Sequence, residues 1–336
     1  MRTLTVAFPE VERAELVETE IPGPGPDEVT VEASFTLIST GTELICFRGE
    51  CDQGTHWAQF MGFPHHPGYS CMGRVVRVGE DVEGVSEGER VCATARHQLH
   101  NNVRTDRLWC APVPEAASDE EAAWVSLAVI TQTGVRQAEH VMGDRALVIG
   151  LGPLGQLVTQ YLQALGLGEV MVADRVQWRV DVALAHGATA GLCAELADAR
   201  GFVEEHTGGE LADVVYDVTG HWSVLPQALP LARDHGKLIL LGDSPFPTRQ
   251  HLTDDVVSRQ VRVIGSRSSW LPPAYSHWTP QRQAGLFMSY LQRGQMRVGD
   301  LITHRFSPEQ AAEVYPMLAS EQTGVLGVVF DWGRLG

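Results

Sequence analysis

The stretch Ala146-Leu-Val-Ile-Gly150-Leu-Gly152-Pro-Leu-Gly155 decides the fold of this chain. Four apolar residues, typical of a buried strand, run into a glycine-rich turn that opens an amphipathic helix. Gly150 allows the tight turn, Gly152 lets the backbone approach a pyrophosphate, and Gly155 lets the helix pack closely on the strand. Pro153 and Leu154 begin the helix, whose N-terminus carries free N–H groups and a partial positive charge. The pattern predicts a dinucleotide site.

An acid ends the next predicted strand, Glu169-Val-Met-Val-Ala-Asp174, at the interval expected for such a site. A carboxylate at this point accepts hydrogen bonds from the adenosine ribose hydroxyls and repels a 2′-phosphate, so Asp174 favours NAD over NADP. The neighbouring Arg175 is able to pair with that phosphate, against the adjoining negative charge. We therefore expect NAD, with Asp174, Arg175 and Arg179 among the cofactor-binding residues.

Strands and helices alternate after Ser118, which is typical of a doubly wound parallel sheet. The predicted strands are Ala146–Ile149, Val170–Ala173, Ala190–Leu192, Val214–Asp217, Leu238–Leu241 and Val261–Ile264. In this fold the cofactor is bound at the carboxyl ends of the strands. The strand-end residues expected to contact it are Thr219, Gly220, His221, Gly242 and Ser266.

The first part of the chain differs in pattern from this middle part. Up to about Val113, short β-rich runs alternate with Gly and Pro turns, which predicts a β-rich domain. A strand predicted in Gly324-Val-Leu-Gly-Val-Val-Phe-Asp331 needs a partner, and the first domain is the expected one. The expected fold is therefore α/β, with a β-rich domain of residues 1–120 and 268–336 and an inserted Rossmann domain of residues 121–267.

Composition excludes some classes of partner. The formal net charge of −17 argues against nucleic acid and anionic lipid as partners, and it would attract a cationic substrate. The alternative is that this acidity only aids solubility. The sequence contains no run of about 18 apolar residues, so no membrane span is predicted, and the N-terminus lacks the apolar core of a signal peptide. The six cysteines show no dense disulfide spacing, so the expected location is the cytoplasm.

Several motifs along the chain resemble one known superfamily. They are Ile38-Ser-Thr-Gly-Thr-Glu43, Pro67-Gly-Tyr-Ser-Cys-Met-Gly-Arg-Val-Val-Arg-Val-Gly79, Asp217-Val-Thr-Gly220 and Gly236-Lys-Leu-Ile-Leu-Leu-Gly242. With the glycine-rich turn they resemble the medium-chain dehydrogenase/reductase superfamily over nearly the whole chain. The resemblance implies a GroES-like catalytic domain around a Rossmann domain, and a homodimer. The first two motifs are similar to the branch that includes bacteriochlorophyllide dehydrogenase and assorted biosynthetic dehydrogenases.

The chain departs from the zinc-dependent members of that superfamily. Those members carry a Cys in the first motif, a His-Glu pair in the second and a third ligand near the nucleotide domain. Here these places read Ser39-Thr-Gly-Thr-Glu43, Gly68-Tyr-Ser70 and Val125-Ser-Leu127. Because catalytic zinc needs three protein ligands of N, S or O type, we expect no metal. The alternative is an unorthodox zinc site assembled from His56, His65, His66, Cys71 or His97.

Hydride transfer without a metal still needs a group that handles the hydroxyl proton. Tyr69 stands where the family has a ligand histidine and is the first candidate. The equally weighted alternative is a Tyr that packs in the interior with its hydroxyl hydrogen-bonded to the protein. Thr42 matches the family's relay hydroxyl, or else stabilises a turn. Glu43 is either an ionised orienting residue or a base with a raised pKa. His65 and His66 titrate in the useful range, but surface loop histidines are commoner.

These observations predict a zinc-independent, NAD-dependent oxidoreductase of the medium-chain type. Its expected reaction moves a hydride between nicotinamide and a secondary alcohol or ketone of a biosynthetic intermediate. The acidity of the chain suggests a sugar or a cationic amino sugar as the substrate. One alternative is an NADPH-dependent, zinc-free enone or quinone reductase. Another is a nucleotide-binding protein without catalysis.

Overall fold

The computed structural model describes residues 1–105, 110–267, 271–320 and 323–336. The chain forms two compact units, one of Met1–Leu127 with Trp278–Gly336 and one of Ala128–His277. The unit boundaries thus lie at 127/128 and 277/278, whereas the sequence placed them at 120/121 and 267/268. The first boundary is displaced because it falls inside a continuous helix, Val125–Gln137, and not in a loop.

The elements follow one another along the chain in three groups. The first group comprises β1 (Arg2–Ala7), β2 (Glu15–Glu20), β3 (Glu28–Leu37), α1 (Thr42–Arg48), α2 (His56–Phe60), β4 (Cys71–Val78), β5 (Arg90–Ala93), β6 (His100–Arg104), β7 (Ala111–Pro112), α3 (Asp119–Ala122) and α4 (Val125–Gln137). The second comprises β8 (Arg145–Ile149), α5 (Pro153–Leu165), β9 (Glu169–Asp174), α6 (Gln177–Ala185), β10 (Ala190–Cys193), α7 (Ala199–Thr207), β11 (Ala212–Asp217), α8 (Leu225–Ala228), β12 (Ala232–Leu240), α9 (Asp255–Ser258) and β13 (Arg262–Gly265). The third comprises α10 (Pro280–Gln292), β14 (Ile302–Phe306), α11 (Ala311–Ser320) and β15 (Gly327–Asp331).

The first unit is built on a sheet with the strand order β14-β15-β3-β4-β5-β7, with β6 also paired to β3. Its last strand, β15, pairs antiparallel with β3, so the C-terminal strand joins the first part of the chain as the sequence predicted. An aromatic cluster of Phe8, Phe47 and Tyr315 lies in the core beside this sheet. Its ring centroids lie 4.6 to 5.8 Å apart, which is the spacing of favourable aromatic pairs.

The second unit holds a six-stranded parallel sheet with the order β10-β9-β8-β11-β12-β13. The order reverses at β8, so the predicted doubly wound sheet is confirmed. Apolar residues of β8, β9 and β11 form its core, where Leu147, Met171 and Val215 are fully buried. Among the described residues, no helix is long and apolar enough to cross a membrane.

Candidate active site

The glycine-rich turn after β8 has the geometry that a phosphate needs. Gly150 has a φ of 89°, which favours glycine, and a Cβ at Gly155 would lie 2.0 Å from the Gly150 carbonyl oxygen. Gly152 caps the N-terminus of α5, and a Cβ built there would meet no protein atom within 4 Å. Pro153 and Leu154 follow as the first two helical residues. The turn therefore leaves an open cradle at the start of a 13-residue helix, which fits a pyrophosphate.

The strand-end acid is joined to this turn. The Asp174 Oδ2 atom accepts the Leu151 N–H at 2.7 Å, and its Oδ1 atom accepts the Val176 N–H at 2.9 Å. Each carboxylate oxygen keeps a lone pair with which to accept a ribose hydroxyl. Arg175 is exposed and forms a 3.8 Å ion pair with Glu195, which is also exposed. Burial lowers the pKa of Arg179, and the charge of Asp174 opposes this shift.

The ends of β11 and β12 complete the same edge of the sheet. A Cβ at Gly150 would lie 2.7 Å from the Thr219 Cγ2 atom, and one at Gly242 would lie 2.1 Å from the Gly220 nitrogen. The structure therefore brings together four of the predicted cofactor residues around the turn, namely Gly150, Thr219, Gly220 and Gly242. The exposed His221 follows them and bonds to Ser223 through Nδ1 at 2.8 Å. The Ser266 N–H donates to the Leu240 carbonyl at the end of β12.

A buried acid, Asp217, lies beneath this edge and was not singled out from the sequence. Its Oδ1 atom accepts the backbone N–H of Thr219 at 3.0 Å and the Thr219 hydroxyl at 2.7 Å. Its Oδ2 atom is buried and has no hydrogen-bond partner among the residues described. Burial raises the pKa of Asp217 to about 6. Its position in the Asp217-Val-Thr-Gly220 motif was the only signal in the sequence.

In the first unit, the two motifs around Ser39 and Tyr69 meet in a hydroxyl cluster of Ser39, Thr42 and Tyr69. The Tyr69 hydroxyl donates to Ser39 Oγ at 2.5 Å. Burial raises the pKa of Tyr69 to about 12, while hydrogen bonds with Ser39 and Thr42 oppose the rise. Tyr69 is therefore a neutral hydrogen-bond donor at ordinary pH. Ser39 was part of the quoted motif but received no role from it.

A second set of hydroxyls ties the backbone of this motif to the start of α4. The Ser126 hydroxyl donates to the Tyr69 carbonyl at 2.6 Å, and the Ser70 hydroxyl donates to the Ala123 carbonyl at 2.5 Å. Ser70 Oγ in turn accepts the Ser126 N–H at 3.2 Å. The three sequence stretches that carry zinc ligands in the family thus meet in this chain, but they contribute hydroxyls that bond to the protein itself.

This donor set does not fit a catalytic zinc ion, which takes Cys, His or carboxylate ligands. Within the part of the chain that the structure describes, no group of three His, Cys, Asp or Glu residues could hold a metal ion. Of the unorthodox candidates, Cys71 is fully buried in the apolar core and His97 bonds to Glu43 and Thr36. His56 is exposed at the start of α2 and contacts the Trp57 ring.

Glu43 lies directly behind the hydroxyl cluster and is only 2% exposed. Its Oε1 atom accepts the Ser39 N–H at 2.9 Å. Its Oε2 atom accepts the Tyr315 hydroxyl at 2.6 Å and lies 3.0 Å from His97 Nε2. Of the two roles considered for Glu43, this enclosure supports the orienting role. No pattern in the sequence pointed to Tyr315, and His97 was considered only as a metal ligand.

His65 and His66 lie apart from these hydrogen bonds. The His65 ring stacks on Phe8 at 5.8 Å, and burial lowers the pKa of His65. Burial also lowers the pKa of His66, whose Nδ1 atom is buried and finds no partner in the described residues. Within those residues, neither side chain hydrogen-bonds to Thr42, Glu43 or Tyr69. Both stay neutral around pH 7 and lie next to the second motif.

Comparison with known proteins agrees with both halves of this description. A family model for the alcohol dehydrogenase GroES-like domain matches residues 25–150, and one for zinc-binding dehydrogenases matches residues 153–276. The D-guloside 3-dehydrogenase of Escherichia coli K12 is 27% identical over 355 residues, covering 98% of this chain and 100% of that protein.

Two solved structures share the fold over nearly their whole length. The alcohol dehydrogenase rspB of Escherichia coli CFT073, complexed with NADH, has a TM-score of 0.82 at 21% identity, with 98% of this chain and 99% of that chain covered. A candidate zinc-binding dehydrogenase of Sinorhizobium meliloti 1021, bound to NADP, has a TM-score of 0.80 at 20% identity with the same coverage, 98% and 99%. With its GroES-like and nucleotide-binding parts both matched, this chain belongs to the medium-chain dehydrogenase/reductase superfamily.

Proposed function

We propose that this protein is a zinc-independent, NAD-dependent oxidoreductase acting on a secondary alcohol or ketone of a biosynthetic intermediate. The observation that carries the proposal is the hydroxyl cluster of Ser39, Thr42 and Tyr69, which occupies the motifs where relatives place a metal. The family supports the coarser statement that the chain is an enzyme of the alcohol dehydrogenase type. The open glycine cradle before α5 supports a dinucleotide cofactor.

In the proposed reaction, a nicotinamide dinucleotide held by the glycine-rich turn and Asp174 would supply the hydride chemistry, either removing a hydride from a carbinol carbon or adding one to a carbonyl carbon. The protein handles the accompanying proton. In reduction, the Tyr69 hydroxyl transfers its proton to the substrate oxygen, the Ser39 hydroxyl turns to hydrogen-bond to the resulting phenolate, and a proton from solvent then restores the phenol. In oxidation the proton leaves by the reverse route. Because burial raises the pKa of Tyr69 to about 12, the phenol is protonated at neutral pH and available as the donor, and oxidation, which needs the phenolate as base, should accelerate as pH rises.

The choice of NAD is supported by Asp174, whose carboxylate is held by two backbone N–H groups at the end of β9. The ion pair between Arg175 and Glu195 also weakens the case for a phosphate at this position, because the guanidinium already has an acidic partner. The related structures contain NADH in one case and NADP in the other. A direct comparison of the two cofactors is therefore part of the test.

The substrate class is proposed from one relative and from the charge of the chain. The full-length relative is a D-guloside 3-dehydrogenase, and position 3 of a hexose ring is a secondary alcohol. The net charge of −17 favours a neutral or cationic sugar, such as an amino sugar, over a phosphorylated one. We propose a homodimer in the cytoplasm, without nucleic acid or membrane partners.

The test is a panel of methyl glycosides, polyols and amino sugars incubated with NAD or NADP while the absorbance of reduced cofactor is followed. The proposal expects turnover of a secondary alcohol with NAD. Tyr69→Phe should then lower kcat by about a hundredfold or more, because the proton donor is lost. Clear preference for NADPH with enone substrates would replace the proposal with the reductase alternative. Tight NAD binding without turnover of any compound would favour a protein without catalysis.

A further inference from the structure

The position of Ser39 in the hydroxyl cluster depends on the carboxylate of Glu43. The Ser39 N–H donates to Glu43 Oε1 at 2.9 Å, and the Glu43 N–H donates to the Ser39 carbonyl at 2.9 Å. Both residues are buried, with 7% and 2% of their surfaces exposed. The Ser39 Oγ atom that accepts the Tyr69 hydroxyl is therefore attached to a backbone segment held by this one carboxylate.

The other oxygen of Glu43 is held by two residues from distant parts of the chain. Tyr315 Oη lies 2.6 Å from Oε2, and His97 Nε2 lies 3.0 Å from it. The Tyr315 ring cannot easily move away, because it packs against Phe8 at 4.6 Å. Both partners are fully buried, so water does not compete for these bonds.

The hydrogen bonds around His97 assign its protons. The indole N–H of Trp332 can only donate, and it donates to Thr36 Oγ1 at 3.0 Å. The Thr36 hydroxyl has no acceptor among the described residues other than His97 Nδ1, at 2.7 Å. Thr36 therefore donates to Nδ1, which leaves the proton of neutral His97 on Nε2, facing Glu43. All three contacts of Glu43 are then donors, the arrangement that suits an ionised carboxylate.

His97 also contacts the backbone that carries Tyr69. The backbone N–H of His97 donates to the Pro67 carbonyl at 2.9 Å. Gly68 has a φ of 101°, and a Cβ there would lie 2.3 Å from the His97 nitrogen. The segment before Tyr69 thus packs directly on His97, so one residue contacts both this segment and the Glu43 carboxylate that binds the Ser39 N–H.

We propose that His97 and Tyr315 are positioning residues of the active site, which hold an ionised Glu43 so that Ser39 stays within hydrogen-bond distance of Tyr69. This inference rests on the proposed function, in which Tyr69 transfers the proton. The buried negative charge has a second effect, because Glu43 contributes to the raised pKa of Tyr69 and helps keep the phenol protonated. Neither residue has to touch the substrate.

The second unit offers a matched control. Tyr216 is also fully buried, and its hydroxyl lies 2.6 Å from His140 Nε2, while His140 Nδ1 lies 2.9 Å from Asp144. Tyr216→Phe therefore removes a buried Tyr hydroxyl from a His–acid network just as Tyr315→Phe does. Its network has no hydrogen bond to Ser39 or Tyr69 within the described chain.

The experiment labels the six tyrosines at Cζ with carbon-13 and assigns the Tyr69 resonance from its loss in Tyr69→Phe. The Cζ shift reports the hydrogen bonding of the phenol and needs no substrate. We expect Tyr315→Phe to move the Tyr69 resonance and Tyr216→Phe to leave it in place. Glu43→Gln, which keeps the size but removes the charge, should move it further. If Glu43→Gln does not fold, the nearly isosteric Tyr315→Phe still decides.

Turnover of the panel substrate separates this inference from the proposed function. Tyr315→Phe should lower kcat about tenfold, with KM changed less than about twofold, and should have no further effect in a Tyr69→Phe background. An unmoved Tyr69 resonance in Tyr315→Phe, or an equal movement in Tyr216→Phe, would overturn the positioning role. Full turnover by Tyr69→Phe would instead overturn the proposed role of Tyr69, whatever the resonance shows.

Discussion

Substitution by alanine should destabilise the protein at one glycine of the turn, Gly155, and should hardly change its stability at another, Gly152. At Gly155, a Cβ would lie 2.0 Å from the Gly150 carbonyl oxygen, and real Cβ contacts essentially never fall under 3.0 Å. The helix must move away from the strand, so we expect Gly155→Ala to lower the free energy of unfolding by about 3 kcal/mol. At Gly152, φ is −67° and the Cβ would meet nothing within 4 Å, so Gly152→Ala should change it by less than about 0.5 kcal/mol.

Dinucleotide binding should be weakened by the substitution at Gly152, which leaves the stability unchanged. The space beside Gly152 is open in the protein, and we attribute that space to the pyrophosphate. A methyl group there should raise the Kd for NAD at least about tenfold, or about 1.4 kcal/mol, in a protein of unchanged stability. Urea unfolding and calorimetric titration with NAD measure the two effects. Wild-type affinity in a stably folded Gly152→Ala would refute the assignment of the cradle to the pyrophosphate.

The remaining predictions concern cofactor choice, pH and metal. Asp174→Asn keeps an acceptor for the Leu151 N–H but removes the charge, so the ratio of NADP to NAD affinity should rise about tenfold; an unchanged ratio in binding titrations would contradict the role of Asp174. Because the pKa of Asp217 rises from 3.8 to about 6 on folding, its contribution is present below pH 3.8 and is lost as pH rises through about 6. Relative to Asp217→Asn, the wild type should therefore lose up to about 3 kcal/mol of unfolding free energy between about pH 4 and 7, and a pH-independent difference would disprove this. Protein purified without chelator should contain well under one zinc per chain, whereas stoichiometric zinc by metal analysis would rule out the hydroxyl mechanism.

The fold could be predicted from short stretches because its determinants are local. Gly150 and Gly155 are five residues apart, and their close approach follows from the strand, turn and helix between them. The same holds for the capping box that starts α3, because Ser118 and Glu121 are only three residues apart. The domain boundary was less predictable, because α4 continues through it without a loop or a glycine stop.

The candidate site was predicted only in part. Thr42, Glu43 and Tyr69 were identified from two motifs, and the structure brings the three together. The motifs did not reveal the partner of each side chain. Ser39 was unassigned although it accepts the Tyr69 hydroxyl, and His97 was considered only as a metal ligand. Adjacent histidines in the sequence drew attention to His65 and His66, but their placement is set by packing on Phe8 and by burial.

The sequence by itself determined the parallel sheet, the glycine cradle and the exchange of ligand residues for hydroxyls. Each of these depends on which residue types occur within a few positions of one another. Only the tertiary structure decided what Glu43 does, because its partners His97 and Tyr315 lie 54 and 272 residues away along the chain. Such pairs leave no periodicity or spacing in a single sequence. They form because the folded core excludes water, and a buried carboxylate is stable there only with donors around it.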